Sequence, residues 1–276
     1  MPISAISQGL GIGGGASATS SGAAGGGGGT PLTDELAYSG GIWETSNFTI
    51  SVAPEAHYDA NILDGADSAN NPSDDTAVSA WNDRSGSATD YDATQGSAAL
   101  QPVFNASATG SKPAITSIAD KLDITSEIQL TGEYTLIIVA KANYASGGRF
   151  CPIATASTYQ DTPWFIFAAS DLDYLAGANK GNVTTASTVN MFTVTRNGSN
   201  LNTLFEGGNN SRATQSQSRT FKLNKMFQGP AGLGNPNAEV TTSEILVFDS
   251  LLSAANLNVI IQYLESKYGF SGLTTF

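Results

Sequence analysis

Carboxylates supply most of the chemistry this sequence could perform, and their spacing decides which chemistry. Retaining glycoside hydrolysis needs two carboxyl groups about 5–5.5 Å apart. On a strand that requires acids at alternate positions, which share a face. Glu244 and Asp249 flank Ile245, Leu246, Val247 and Phe248, so they point to opposite sides of a strand. Asp171 and Asp173, in "SDLDY", do share a face. His57 is the only histidine, and a Ser-His-Asp triad would have to use it without a G-x-S-x-G elbow. It reads as a surface or strand-edge residue. Cys151 is the lone cysteine, which excludes an intrachain disulfide and a thiolate zinc site.

Binding chemistry has two candidate sets. The segment "DGADSANNPSDD" carries Asp64, Asp67, Asp74 and Asp75, hard oxygen ligands of the kind calcium takes. It lacks EF-hand spacing, and acidic turn residues are ordinarily solvated. No cofactor is therefore expected, with calcium as the alternative. Tyr144, Tyr159, Trp164 and Tyr174 fall in or beside expected loops, where an aromatic ring could stack on a sugar face.

These residues must be positioned by strands. "EYTLIIVAK" (133–141) is the β-branched, apolar run of a buried strand. Residues 163–170, 172–177, 190–196, 201–208 and 220–229 supply further strands, separated by turn clusters such as "RNGSN" and "GGNNS". Short strands at this spacing, without helices between them, predict an all-β sandwich or jelly roll. One helix closes the chain. Ser253 is its expected N-cap, and Leu257, Ile260, Ile261, Leu264 and Tyr268 form one apolar stripe. Lys267 suits the helix dipole in the last turn, and Gly269 suits a left-handed C′. Such a helix needs a surface, so it is expected to lie as a lid over a sheet edge or face.

Residues 1–31 form a separate segment rich in glycine, including Gly13, Gly14, Gly15, Gly25, Gly26, Gly27, Gly28 and Gly29. Nothing in it can bury a core, and its glycines lose the most backbone freedom on ordering. It is expected to act as an assembly arm, ordered by neighbouring subunits. Residues 32–56 bridge to the globular domain, residues 57–276. The formal net charge is −12, and no Lys or Arg precedes Arg84. Such a surface repels a phosphate backbone, so nucleic acid is excluded as a partner. No apolar run is long enough to span a bilayer. The opening "MPISAISQGLGIGGG" lacks the basic region of a signal peptide.

Several motifs occur in an ordered series: "HYDANILDG" (57–65), "AVSAWNDRSGSATDYDATQGSAALQPVF" (77–104), "SKPAI" (111–115), "YTLIIVAK" and "EILVFDSLLSAANLNVIIQYLESKYG". Together they resemble the concanavalin A-like lectin/glucanase superfamily, and more narrowly its laminin-G-like members in phage structural proteins and bacterial surface proteins. The resemblance covers about residues 57–270. It implies a two-sheet antiparallel jelly-roll sandwich used for sugar binding or protein contacts, often with calcium at a loop rim. Glucanases of that superfamily carry an E-x-D-x-x-E strand, and nothing here matches it. In the motif "AWNDRSG", Trp81 is expected in the core, with Asp83 and Arg84 pinning the turn.

The expectation is a non-enzymatic virion structural protein, a capsid decoration or tail-associated protein, displaying a lectin-like jelly roll through its arm. The alternative is a carbohydrate-binding adhesin module of a tail fibre or cell-surface protein. Expected partners are other virion proteins, copies of itself or host surface glycans. The expected location is the virion, with the cell surface as the alternative.

Overall fold

A computed structural model describes residues 52–109, 111–143 and 239–270 without a break, segments between 149 and 228, short strands between 37 and 50, and Phe276. The glycine-rich arm and its named glycines lie outside the described residues.

Two long strands form the centre. The central strand Tyr134–Asn143 and the last strand Glu239–Phe248 pair antiparallel, and their apolar residues are buried on both faces. That is why both read as nearly continuous hydrophobic runs rather than alternating ones. Around them runs an eight-stranded sheet. On one side lie Asn190–Asn197, Leu201–Glu206 and Asn210–Ser216, and on the other Lys112–Ser117 and Val103–Thr109. The opening strand, Ala56–Asp59, joins beside the second half of the last strand. A five-stranded sheet packs against this one, ordered Ile153–Ala154, Phe221–Met226, Leu122–Leu130, Ala93–Thr94 and Ala80–Trp81. Two smaller sheets, of four strands within residues 149–184 and three within residues 37–50, complete the described strands.

The inter-sheet core draws Tyr58, Leu136, Ile138, Phe192, Ile245 and Val247 from the large sheet, and Leu122, Ile124, Ile128, Leu130, Leu223 and Met226 from the smaller. Trp81 is fully buried there, as expected. It stacks on Phe227 at 6.3 Å between ring centroids and meets Tyr58 edge-on at 5.7 Å.

One irregularity organises the large sheet. Val139 pairs with Glu244 but Ala140 pairs with Thr242, so Ser243 bulges out of the ladder. A bulge reverses the in–out phase of every residue beyond it. Ile245 and Val247 point into the core, as does even-numbered Val240 on the other side of the bulge. At the same point the last strand changes neighbour. Glu244 to Val247 pair with the opening strand, whereas Val240 to Thr242 pair with Lys112–Ser117.

The helix Ala254–Tyr268 begins and ends as its sequence predicts. The Ser253 hydroxyl accepts the Asn256 N–H at 3.2 Å, and Gly269 is left-handed with φ 69°. Leu257, Ile260, Ile261, Leu264 and Tyr268 are all buried. They pack on Ile137, Val139, Met191, Leu246 and Phe248, the outer side of the two central strands. Each such aliphatic contributes about 1.5–3 kcal/mol by leaving water. The lid thus covers a face of the large sheet, not its edge.

Candidate functional site

Beneath the helix lies a sealed polar cluster. Asp59 and Glu244 are cross-strand partners, both on the outer side of the sheet and both fully buried. Two like charges about 5 Å apart repel by roughly 3 kcal/mol at an effective dielectric near 20, so the pair needs counter-charges. Lys267 supplies one. Its Nζ donates to Asp59 Oδ2 at 2.6 Å, Glu244 Oε2 at 2.9 Å and Tyr263 Oη at 2.9 Å. Arg84 supplies the other, donating from Nη1 to Asp59 Oδ2 at 3.0 Å. Glu244 also accepts from Tyr263 Oη at 3.1 Å, Tyr268 Oη at 2.8 Å and His57 Nε2 at 2.8 Å. Tyr263 and Lys267, four apart on the helix, reach the cluster together. The Lys267 ammonium lies 5.4 and 5.3 Å from the Tyr263 and Tyr268 ring centroids.

Burial and charge set the protonation states. Burial pushes the Glu244 carboxyl up, but the Lys267 ammonium and the His57 hydrogen bond outweigh it and hold Glu244 well below the usual carboxylate range. Burial also works against a charged Lys267, yet Asp59 and Glu244 hold its ammonium well above the usual lysine value. For His57 burial wins over the pull of Glu244, so its pKa is lowered. At neutral pH the imidazole is uncharged, with the Nε2 proton donated to Glu244. Two carboxylates then face two cations.

His57, Asp59 and Glu244 bring their ligand atoms within 4.8 Å of one another, the metal-like group found among the described residues. An ammonium already fills that role: Lys267 bonds both carboxylates. A divalent ion would have to displace Lys267 and strand it in a buried site, which is prohibitive for an unpaired charge. The side chains of His57, Asp59, Glu244 and Lys267 are 0–1% exposed and that of Arg84 10%, with Tyr263 and Tyr268 also buried, so substrate has no approach to the cluster. The cluster is a clasp that ties the terminal helix to the opening strand.

One expectation is corrected here. His57, expected at the surface or a strand edge, is fully buried. Asp83 and Arg84 pin the turn as expected, through backbone bonds: Asp83 accepts the His57 N–H at 2.7 Å and the Ser85 N–H at 3.0 Å, while the Arg84 guanidinium reaches Asp59. The turn is thereby fastened to the opening strand, and the Arg84 N–H donates to His57 O at 2.8 Å. Lys267, expected to suit the helix dipole in the last turn, is the clasp's centre.

The acidic loop is tied up locally. Asp64 accepts from Ala66 N, Asp67 N and Asn70 Nδ2 at 2.6–2.9 Å. Asp67 caps the short turn Ser68–Asn70 through Ala69 N at 2.9 Å, and Asp74 accepts from Ala106 N at 2.7 Å. These carboxylates do not gather into a group of three ligand atoms within 4.8 Å. Of the expected sugar-stacking residues, Trp164 pairs in register with Leu175 and Tyr174 with Phe165, on adjacent strands. Tyr144 and Tyr159 lie outside the described residues. Glu244 and Asp249 diverge as expected, Glu244 buried and Asp249 exposed.

A second feature occupies the same outer face on the far side of the bulge. Val240 and Ile115 point into the core, so Thr241 and its partner Thr116 point outward, their hydroxyl oxygens 3.1 Å apart. With Asp75, Asn105, Lys141 and Glu239 they line a groove of about 240 Å³, completed by Val103 and Ala108. Asp75 has φ 60°, the left-handed region, and its N–H donates to Phe104 O at 2.9 Å. Of these residues the sequence singled out Asp75 alone.

The fold is a β-sandwich of antiparallel sheets closed by one terminal helix. An arabinofuranosidase complexed with arabinofuranosyl-alpha-1,2-xylobiose matches it with a TM-score of 0.52 at 10% identity, over 70% of this chain and 51% of the other. A Trypanosoma rangeli sialidase matches with a TM-score of 0.50 at 9% identity, over 79% of this chain and 33% of the other. The binding domain of botulinum neurotoxin serotype D matches with a TM-score of 0.47 at 11% identity, over 76% and 51%. The chain thus spans between a third and about half the length of these structures. At such identities the likeness is one of fold. No family model matches the chain, and no curated protein does. The expectation that the chain is not an enzyme is overturned here: enzymes are among the proteins that carry this sandwich, so lacking an E-x-D-x-x-E strand does not exclude catalysis.

Proposed function

We propose that this chain is a carbohydrate-recognition sandwich displayed on an extracellular assembly, foremost a virion, with a cell surface as the second setting. The observation that carries the reading is the uneven covering of the large sheet. Helix and clasp seal one half of its outer face, while the other half presents a polar groove built from four strands and a loop. A rigid sheet that aims alternate polar side chains at a small hollow is suited to binding a polar ligand. Display is supported by the composition of residues 1–31: contacts with neighbouring chains are what we propose offsets their ordering cost of about 1–2 kcal/mol of backbone entropy per residue.

A glycan array probed with the full chain, with and without a chelator, tests recognition. Binding to a defined glycan class is expected, and silence on a broad array would remove the reading. Deleting residues 1–31 tests display. The truncated chain should fold and keep glycan binding but fail to enter assembled particles, and normal incorporation would count against the arm as anchor.

A further inference from the structure

We infer that the groove beyond the bulge is a site for one neutral sugar ring, held through its hydroxyls. This rests on the carbohydrate-recognition reading and makes it specific. Size comes first. At about 240 Å³ the groove is smaller than the roughly 300–1,000 Å³ of drug-sized pockets, which leaves room for a single ring.

Its lining has the donor and acceptor mixture that a polyol requires. Asp75 and Glu239 offer carboxylate acceptors, the Asn105 amide offers both functions, and the Thr116–Thr241 pair presents two adjacent hydroxyls. Lys141 adds a charged donor. Among the described lining residues two carboxylates stand with one ammonium, and with a chain net charge of −12 this disfavours a carboxylated or sulfated sugar. None of the described lining residues is aromatic; a single ring held by hydroxyl contacts is expected to bind weakly, and display in many copies supplies the avidity.

Asp75 gives the inference a second support. A left-handed φ of 60° is a position that glycine takes without strain. Aspartate tolerates it at some cost, and such cost is characteristic of sites where the side chain is wanted. The segment there is fixed from both sides, by the Asp75 N–H donated to Phe104 O at 2.9 Å and by the Ala106 N–H donated to Asp74 Oδ1 at 2.7 Å.

The test is an amide-resolved NMR titration of the full chain. The probes are methyl glycosides of glucose, galactose, mannose and arabinose, and N-acetylneuraminic acid as the anionic arm. Saturable shifts at the amides of Asp75, Asn105, Thr116 and Thr241 are expected with at least one neutral glycoside and not with the acid. Asp75→Gly, which suits the left-handed backbone, should weaken that binding at least tenfold while Tm stays level or rises. Full affinity in a folded Asp75→Gly chain would overturn the site. Binding of the acid in preference to every neutral glycoside would overturn the ligand class. A positive array with silent groove amides would overturn this inference alone, and silence in both would take the broader reading with it.

Discussion

Asp59 and Glu244 face each other across two paired strands, fully buried, and Lys267 bonds both from the terminal helix. The three residues join the beginning, the last strand and the end of the sandwich at one point. Neither carboxylate would be tolerable there without the cations, so the helix is bound by electrostatic necessity as well as by its apolar stripe.

Removing the lysine should therefore cost more than removing a helix contact. Lys267→Met leaves two buried carboxylates with Arg84 alone, and breaking such a cluster typically costs about 3–5 kcal/mol. Denaturant unfolding measures it. Glu244→Gln should be destabilising by itself, and the Lys267→Met, Glu244→Gln double variant should lose less than the sum of the singles. Additive losses, or a loss below about 1 kcal/mol for Lys267→Met, would show that the clasp bears little on stability.

Acid should loosen the clasp in two steps. The His57 pKa is lowered on folding from the usual 6.5, so the unfolded chain binds the extra proton more readily. Its stabilisation is complete above that value and declines as pH falls below it. Glu244 is lowered from the usual 4.5, and its contribution is lost only at more acidic pH. Lys267 is raised above the usual 10.5, so its contribution is complete below that value and lost in strong alkali. Thermal melts from pH 8 to 3 should show a first fall below about pH 6.5, absent in a folded His57→Gln chain. A wild-type profile flat from pH 7 to 5 would remove His57 from this account.

The helix was legible because its signals are local. Ser253, the five-residue apolar stripe and Gly269 lie within one short segment, and each does what its spacing implies. The clasp was not, because its members are brought together by topology: Lys267 and Asp59 are 208 residues apart. Two local hints were present. Lys267 falls three residues after Leu264, on the apolar side of the helix, and Glu244 alternates with Leu246 and Phe248 on a face the helix covers. A charge on an apolar stripe signals a buried partner, whereas its place in the last turn points equally to the helix dipole. The strand Leu122–Leu130 went unread for a different reason. Its apolar beat, Leu122, Ile124, Ile128 and Leu130, is broken by Ser126.

The caps should each be worth a measurable amount. Ser253→Ala removes the acceptor for Asn256 N and should cost about 0.5–2 kcal/mol. Gly269→Ala meets no atom within 4 Å but must adopt φ 69°, so its cost, about 1–2 kcal/mol, is one of backbone alone. Neutral results in both variants, read by thermal unfolding, would mean that tertiary packing alone fixes the helix ends.

The bulge at Ser243 sets the phase that the clasp and the groove share. Its carbonyl accepts the Ala60 N–H at 2.9 Å, and its hydroxyl donates to Thr109 Oγ1 at 2.7 Å. Ser243→Ala removes only the hydroxyl bond and should cost about 1 kcal/mol, with the fold intact. Deleting Ser243 is a different perturbation. It makes Thr242 and Glu244 neighbours in the chain, and these already pair with Ala140 and Val139, so the ladder closes with every partner unchanged and Val240 still facing the core. The deletion also removes the carbonyl that accepts the Ala60 N–H. The chain should fold with its groove and clasp in place, destabilised by about 1–3 kcal/mol for the two lost bonds. If the deleted chain fails to fold, the sheet needs the local twist of the bulge and not only its pairing partners.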